Sequence, residues 1–365
     1  MRRAFINAKL FDGDNFQFDK CVLVDDGIIT DIVSVDSVPD GYERFDVANK
    51  ILSPAFIDLQ IYGGNGKMFS HETQPASIDA TREYCAAGGA AYFMITVATN
   101  SQQKFLEAID AVQEYWNAGG QGCLGLHLEG PFLNPVKKGA HIEGYIRKPD
   151  RHTIDELLNR GRDVVKMMTL APEQCDTTYI RQLRDAGIIV SAGHTDATYQ
   201  QAMDAFDSGV PVATHLFNAM SSLMHRQPGM VGAIFDHPTV KSSIVCDGIH
   251  VKYPAVRIAH KLMQQRLFFI TDAVTEVKEG AYIHLLKDDH YALPDGTLSG
   301  SSLTMLKCVY NAVNHARIPP EVALSMATSI PASVLGDTVK IGRIEKGYDA
   351  KFCLMDESFE SVKIL

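Results

Sequence analysis

The sequence lacks both a paired-cysteine pattern and a long apolar run. Its seven cysteines are spread over 365 residues without a C-x-x-C pair or zinc-finger spacing, which excludes a disulfide framework or a small structural zinc module. No run approaches the roughly 18 apolar residues of a membrane-spanning helix, and the first residues lack the apolar core of a secretory signal. We therefore expect a cytoplasmic protein with reduced cysteines.

Basic stripes and nucleotide-binding turns are also missing. The formal net charge is −10, and no stretch rich in lysine and arginine is available to neutralise a nucleic acid backbone. Neither a GxGxxG nor a GxxxxGK[ST] turn is present, which disfavours a doubly wound nucleotide-binding fold. We expect a small-molecule partner, with no nucleic acid and no membrane, although local basic groups could still bind one small anion.

What is present is enough apolar material for one large core. Hydrophobic residues make up 46% of the chain, and the length suits a single barrel with a small appendage. Short β segments at 1–50 and 340–365 cannot bury a core separately, so we predict that they pair into one small β-sandwich domain. Residues 51–339 are predicted to form the main domain.

Eight short apolar runs, each followed by a helical or loop-helix stretch, fill this central region. They are Phe56–Gln60, Ala91–Val97, Cys123–His127, Val165–Leu170, Ile188–Ser191, Val212–His215, Ser243–Val245 and Phe268–Thr271. Such alternation predicts parallel strands, and eight of them favour an α/β fold of the (β/α)₈ TIM-barrel type. In the fifth unit, Thr195 and Asp196 are predicted to cap a helix that ends before Gly209.

Ionisable side chains stand where four of these runs end. Glu129 follows the third run, His194 the fifth, His215 the sixth and Asp272 the eighth. Because the carboxyl ends of barrel strands gather at one face, where the active sites of this fold lie, we expect these side chains to converge. Two imidazoles and one carboxylate form a ligand set used by catalytic zinc. We assign the first three residues as metal ligands and Asp272 as the general base.

A less specific interpretation competes with each assignment. A single histidine or carboxylate at a strand end is more often a surface or capping group than a member of an active site. Four such residues, each at the end of a predicted strand, together indicate a shared site.

In their local context these residues resemble the amidohydrolase superfamily and, within it, the deacetylases of amino-sugar phosphates. The similar segments are Leu52–Asp58, Leu126–Phe132, Ser191–His194, Ala213–Met220, Asp247–His250, Thr271–Ala273 and Leu298–Met305. The resemblance covers almost the whole chain. It implies an enzyme that acts on an N-acetylated amino-sugar 6-phosphate and releases acetate and glucosamine 6-phosphate.

The resemblance also implies roles for single residues. It agrees with the three metal ligands and with Asp272 as the acid/base, and it makes His141 the group that polarises the amide carbonyl. A donor aimed at a developing oxyanion can contribute about 2.7–4 kcal/mol. The implied substrate contacts are Ala140, His141, Asn218, Ala219, Arg226, His250, Leu298, Ser299 and Gly300. Arg226 and His250 are implied to reach the ligand of a neighbouring subunit, so a homodimer is expected.

The end of the first strand departs from the superfamily pattern. It has Gln60-Ile61-Tyr62 where His-x-His is usual; the single-metal relatives share the glutamine but have asparagine where Tyr62 stands. We therefore expect one divalent ion, with zinc favoured over iron, cobalt or manganese. Gln60 is expected to be at most a weak or water-mediated contact, and a second, looser ion there stays open.

Two other functions remain open at this point. One is a different amidohydrolase reaction, on a cyclic amide or a nucleobase; such enzymes ordinarily keep His-x-His, which this sequence lacks. The other is a barrel that binds a sugar phosphate without turning it over. The intact set of Glu129, His194, His215 and Asp272 counts against that alternative.

Overall fold

The computed structural model describes residues 1–365 and contains 22 strands. In chain order these are β1 (Arg3–Ile6), β2 (Lys9–Phe11), β3 (Phe16–Gln17), β4 (Lys20–Asp25), β5 (Ile28–Ser34), β6 (Glu43–Asp46), β7 (Ile51–Pro54), β8 (Phe56–Ile61), β9 (Gly63–Gly64), β10 (Lys67–Met68), β11 (Ala90–Ala98), β12 (Cys123–Glu129), β13 (Val165–Leu170), β14 (Ile189–Ala192), β15 (Val212–Ala213), β16 (Lys241–Ile244), β17 (Leu267–Phe269), β18 (Leu285–Lys287), β19 (His290–Ala292), β20 (Leu298–Ser301), β21 (Phe352–Met355) and β22 (Val362–Ile364).

Ten α-helices and five short 3₁₀ helices complete the fold. The α-helices are α1 (Pro75–Ala87), α2 (Gln102–Asn117), α3 (Arg151–Gly161), α4 (Thr177–Asp185), α5 (Tyr199–Asp207), α6 (Gly229–Asp236), α7 (Tyr253–Met263), α8 (Met305–Asn314), α9 (Pro320–Ala327) and α10 (Ser329–Val334). The 3₁₀ helices are Val35–Ser37, Pro135–Lys137, Glu143–Tyr145, Pro172–Gln174 and Gln264–Arg266. No helix is both long and apolar enough to cross a bilayer.

The barrel consists of eight parallel strands in sequential order, from β8 through β11–β16 to β17. Each of the eight predicted runs coincides with one of them, so the (β/α)₈ prediction is confirmed. The strand boundaries differ slightly from the predicted ones; for example, the seventh strand begins at Lys241 and not at Ser243. The strands are almost entirely buried because one face fills the barrel and the other packs on helices, and they include buried polar side chains such as Asp58 and His127. A single cluster of 83 buried residues runs through the barrel and its helices, so this region has one core.

Strands from both ends of the chain share a sheet. Its order is β22-β21-β7-β2-β3, and a second sheet has the order β5-β4-β1-β6. A separate cluster of 9 buried residues, including Leu10, Leu52 and Phe352, contains side chains from these strands. Strand β7 (Ile51–Pro54) pairs here, just beyond the predicted boundary at residue 50. The division into 1–50 with 340–365 and 51–339 stays a prediction.

The helix of the fifth unit begins later than predicted. Thr198, not Thr195 or Asp196, caps α5: its hydroxyl accepts from the backbone N–H of Gln201, whose side chain bonds back in a capping box. The hydroxyl of Thr195 instead donates to Glu173 Oε2 at 2.5 Å. The helix does end before Gly209, which has a φ of 99° and so adopts a conformation that glycine tolerates best.

The barrel closes between its first and last strands through few contacts. The backbone N–H of Asp272 donates to the carbonyl of Gln60 at 3.0 Å. Below this bond, the fully buried carboxylate of Asp58 accepts from the hydroxyl of Thr271 at 2.5 Å and from its backbone N–H at 3.2 Å. A buried carboxylate requires such donors. Because Asp272 adjoins Thr271, this closure also positions the candidate general base.

Thr271→Val should therefore destabilise the barrel. It keeps the shape of the side chain but leaves one buried carboxylate oxygen of Asp58 without its hydroxyl donor, at a cost of about 1–3 kcal/mol. Urea unfolding followed by circular dichroism would measure the loss. The control is Ser302→Ala, which removes a hydroxyl bond in an exposed setting. Equal midpoints for Thr271→Val and the wild type would contradict the role of this bond.

Candidate metal centre and active site

Four of the predicted side chains meet at the carboxyl-terminal mouth of the barrel. Glu129 is the last residue of β12, and His194, His215 and Asp272 follow β14, β15 and β17. All four line one pocket of about 180 Å³. The convergence follows from the parallel strands, which all end at this face.

The ligand atoms of Glu129, His194 and His215 form a tight triangle. His215 Nε2 lies 3.0 Å from Glu129 Oε1, and His194 Nε2 lies 3.3 Å from the same oxygen. The two imidazole nitrogens are 3.1 Å apart. Bonds of about 2.0–2.1 Å at tetrahedral angles would place ligand atoms about 3.3 Å apart. The triangle therefore fits a tetrahedral ion with a fourth position open to the pocket.

A second set of three, Glu129 with His141 and His194, also lies within ligand distance. The tautomer of His141 distinguishes the two sets. The backbone N–H of Thr99 donates to His141 Nδ1 at 3.2 Å, so the ring hydrogen belongs on Nε2, which lies 3.0 Å from Glu129 Oε2. A protonated nitrogen cannot bind a cation. His194 is oriented oppositely, because its Nδ1 lies 2.8 Å from the carbonyl of Lys137 and its Nε2 is left free for an ion.

Electrostatics favour an ionised Glu129 and a neutral His141. Burial alone would raise the pKa of Glu129, but the adjacent imidazoles of His141 and His194 outweigh it and hold that pKa well below its usual range. Burial lowers the pKa of His141 to about 4, and the neighbouring His194 acts in the same direction. At neutral pH His141 is therefore a neutral hydrogen-bond donor, the form that can polarise a carbonyl.

Asp272 faces this cluster through Gln60. The side-chain amide nitrogen of Gln60 lies 2.9 Å from Asp272 Oδ1 and 3.0 Å from Glu129 Oε1. Burial raises the pKa of Asp272, the nearby Glu129 adds to this, and His215 opposes it. Gln60 thus presents a donor to both carboxylates, and its weak contact with an ion stays a prediction.

Tyr62 contacts both Gln60 and Glu129. Its hydroxyl donates to Glu129 Oε2 and accepts from the Gln60 amide nitrogen at 2.8 Å. Burial raises the pKa of this phenol well above its ordinary value, so it remains a donor. The residue that departs from the family pattern is therefore part of the site.

Three ionisable residues of the site adopt an unusual backbone conformation. His194, His215 and Asp272 have φ values of 48°, 39° and 54°, in the left-handed region. That conformation costs a non-glycine residue about 1–3 kcal/mol and persists only where the surroundings impose it. Here it turns each side chain into the pocket immediately after its strand ends.

Most of the implied substrate contacts line the same pocket. Ala140, Asn218, Ala219, His250, Leu298, Ser299 and Gly300 do so, together with His141. Arg226 does not; it lies in the exposed stretch 222–227. His250 lines the pocket of its own chain, and its predicted contact with the ligand of a neighbouring subunit stays a prediction. Its Nδ1 lies 2.5 Å from Asp247 Oδ2, a buried carboxylate that orients the ring.

Sequence reasoning missed several pocket residues. They are Met68, Ala98, Gly139, Val274, Tyr282 and His284, and Tyr62 was noted only as a departure. The apolar ones carry no signal that separates a pocket wall from the core. His284 lies just before β18, in a region that the strand count did not cover, and its Nε2 has no partner.

Comparisons with known proteins cover nearly the full chain. A sequence model of the Amidohydrolase family matches residues 51–363. The chain is 33% identical to the N-acetylglucosamine-6-phosphate deacetylase of Haemophilus influenzae, over 99% of this chain and 97% of that protein. It is 34% identical to the deacetylase of the same name from Homo sapiens, over 87% and 82%. The crystal structure of N-acetylglucosamine-6-phosphate deacetylase from Pasteurella multocida is similar with a TM-score of 0.94 and 32% identity, over 99% and 97%.

Metal analysis of two single variants would decide which three residues hold the ion. We expect His215→Ala to lose the metal and His141→Ala to retain it, because His215 Nε2 belongs to the triangle whereas His141 Nε2 carries the ring hydrogen. Each protein would be stripped with a chelator, reloaded with zinc, desalted and measured by mass spectrometry. The opposite result, with metal lost from His141→Ala and kept by His215→Ala, would assign the ion to Glu129, His141 and His194.

Proposed function

This chain belongs to the amidohydrolase family, and on that premise we propose that it hydrolyses the acetamide of N-acetyl-D-glucosamine 6-phosphate. The products are D-glucosamine 6-phosphate and acetate, which makes the reaction a step of amino-sugar catabolism. The observation that carries the proposal is the triangle of Glu129, His194 and His215 beside Asp272. Relatives similar over almost the full chain are named as deacetylases of this substrate, and this supports the choice of reaction.

One divalent cation, for which we propose zinc, would be held by Glu129 Oε1, His194 Nε2 and His215 Nε2. When bound, such an ion supplies Lewis acidity, which makes water a nucleophile at neutral pH. Asp272 accepts the proton of the attacking water as the carbon–oxygen bond forms. It then donates that proton to the departing nitrogen as the carbon–nitrogen bond breaks. Its raised pKa suits an alternation between base and acid.

His141 is proposed to stabilise the charge that develops on the carbonyl oxygen. Its Nε2–H, which contacts Glu129 Oε2 at 3.0 Å, would turn to the substrate oxygen. The bond from the Thr99 backbone to Nδ1 keeps the hydrogen on Nε2 and so preserves the donor. The hydrogen bonds of Tyr62 and Gln60 hold Glu129 while this exchange takes place.

We propose that phosphate is bound by groups from two subunits. Asn218, Ala219 and His250 line the chain's own pocket, whereas Arg226 is exposed and would reach the pocket of a partner. Next to Arg226, Leu223 and Met224 are 54% and 57% exposed. Large apolar side chains exposed together commonly mark an interface. These features support a homodimer in which the segment 222–227 packs on the partner, and Arg226 can bind phosphate bidentately.

The direct test of the function is release of acetate from purified, zinc-loaded protein. We expect release from N-acetylglucosamine 6-phosphate, its loss on chelation and its return with zinc. A protein that instead hydrolyses a cyclic amide or deaminates a nucleobase would be a different amidohydrolase. One that binds the sugar phosphate without turnover would be a non-catalytic barrel.

Asp272→Asn should abolish turnover without loss of metal. The substitution keeps Oδ1 as the acceptor for Gln60 but removes the proton acceptor, and general acid–base catalysis typically contributes about 10²–10⁴-fold. Acetate release and metal content would be measured on the same sample. Loss of the ion from this variant would make Asp272 a ligand instead of the general base.

Arg226 can be tested by mixing two impaired proteins. We expect Arg226→Ala to raise KM for the phosphorylated substrate while leaving metal content unchanged. If Arg226 acts across the dimer, mixing the Arg226→Ala protein with the Asp272→Asn protein forms hybrid dimers with one subunit of each variant. Each hybrid dimer then contains one intact site. Statistical exchange would then restore about a quarter of wild-type activity. Recovery no greater than the sum of the two separate variants would show that Arg226 does not act in the partner's pocket.

A further inference from the structure

One side of the pocket is apolar. Tyr62, Met68, Ala98 and Val274, here called the apolar wall, all line it. We propose that the apolar wall holds the methyl group of the acyl chain and restricts the enzyme to short acyl groups. This inference rests on the proposed deacetylation and adds the part of the site that selects the acyl group.

The apolar wall lies on one arc of the barrel mouth. Ala98 is the last residue of β11, Tyr62 follows β8 and Val274 follows β17, which are consecutive strands once the barrel closes through the Ile61–Ala273 bridge. Met68 lies in β10, whose partner β9 continues from Tyr62. The residues proposed to bind sugar and phosphate, Asn218, Ala219 and His250, follow β15 and β16 on a different arc.

This separation matches the shape of the substrate. A secondary amide is planar and trans, so the group on nitrogen and the group on the carbonyl carbon point away from each other. With the sugar phosphate on the polar arc and the carbonyl beside His141, the acyl methyl extends toward the apolar wall. Burial of the methyl group against the apolar wall is favourable, whereas contact with the polar arc gives no comparable hydrophobic stabilisation.

The apolar wall is attached directly to the reacting groups. Val274 stands two positions after Asp272, and Ala98 precedes Thr99, whose N–H orients His141. The hydroxyl of Tyr62 is engaged by Glu129 and Gln60, so the part of this side chain left for the pocket is its ring. An acyl group against these residues is therefore next to the carbon that is attacked.

Tight packing behind the apolar wall limits the length of the acyl group. Met68, Val274 and Tyr62 are 3%, 5% and 6% exposed, so little space remains at their surface. Val277 and Tyr291, which do not line the pocket, pack with Tyr62, Met68 and Val274 in one apolar cluster. Val274 therefore cannot retreat, and a longer chain would force the amide away from Asp272.

The test is a series of N-formyl, N-acetyl, N-propionyl and N-butyryl glucosamine 6-phosphates. For the wild type we expect kcat/KM to fall by about 10–200-fold from acetyl to propionyl, the usual effect of one methylene in a fitted pocket. Val274→Ala and Met68→Ala should raise the propionyl-to-acetyl ratio by about tenfold or more. Ala98→Val should have the opposite effect, because it narrows the pocket. It should lower kcat/KM for the N-acetyl substrate relative to kcat/KM for the N-formyl substrate. Thermal unfolding of each variant would confirm that it is folded.

Leu298→Ala is the matched control, because Leu298 lines the pocket from β20, outside the apolar wall. It should change kcat/KM by the same factor for all four substrates. A wild-type enzyme indifferent to acyl length, or folded wall variants with wild-type ratios, would overturn the inference while leaving deacetylation intact. Failure to hydrolyse any member of the series would instead refute the proposed function.

Discussion

A single carboxylate, that of Glu129, organises the mouth of the barrel. Only 2% of this residue is exposed, and a charge so far from water is very costly unless it is fully compensated. His194, His215 and Gln60 surround one of its oxygens, and His141 and Tyr62 contact the other. Because these groups come from separate strands and loops, the requirements of one anion fix their relative positions.

Hydrogen bonds from His194 and His215 are not enough to compensate this charge if each ring carries a single hydrogen. The nitrogens of His194 and His215 lie close to one carboxylate oxygen and to each other, and hydrogen bonds alone leave lone pairs facing one another in this arrangement. A shared cation would resolve the conflict, because it would attract all three atoms at once. The same carboxylate would then account for the donor groups on one side and the proposed metal ligands on the other.

The sequence carried enough information to predict the barrel and the centre of the site. Eight apolar runs gave the strands, and the polar residues at their ends gave Glu129, His194, His215 and Asp272, because parallel strands bring their carboxyl ends together. The cap of α5 was misplaced, since Thr195 and Thr198 are equally good caps in sequence and only the tertiary bond to Glu173 separates them.

The rest of the pocket could not be predicted for physical reasons. Met68 and Val274 are buried and Ala98 is partly buried, and only three-dimensional packing shows that one face of each apolar residue meets a cavity. The orientation of the His250 ring depends on the side chain of Asp247, which a linear pattern does not reveal. Gln60 was recognised as a replacement for histidine, yet the direction of its amide follows from the two carboxylates it joins.

The left-handed backbone at His194, His215 and Asp272 has a consequence for how this protein can change. Glycine would relax the backbone at all three positions, but it would also remove the imidazoles of His194 and His215 that contact the buried carboxylate of Glu129. The strained backbone and the compensation of this charge are therefore tied to the same residues, and neither can be improved without loss of the other. The barrel below must supply enough surplus stability to keep three unfavourable conformations in place.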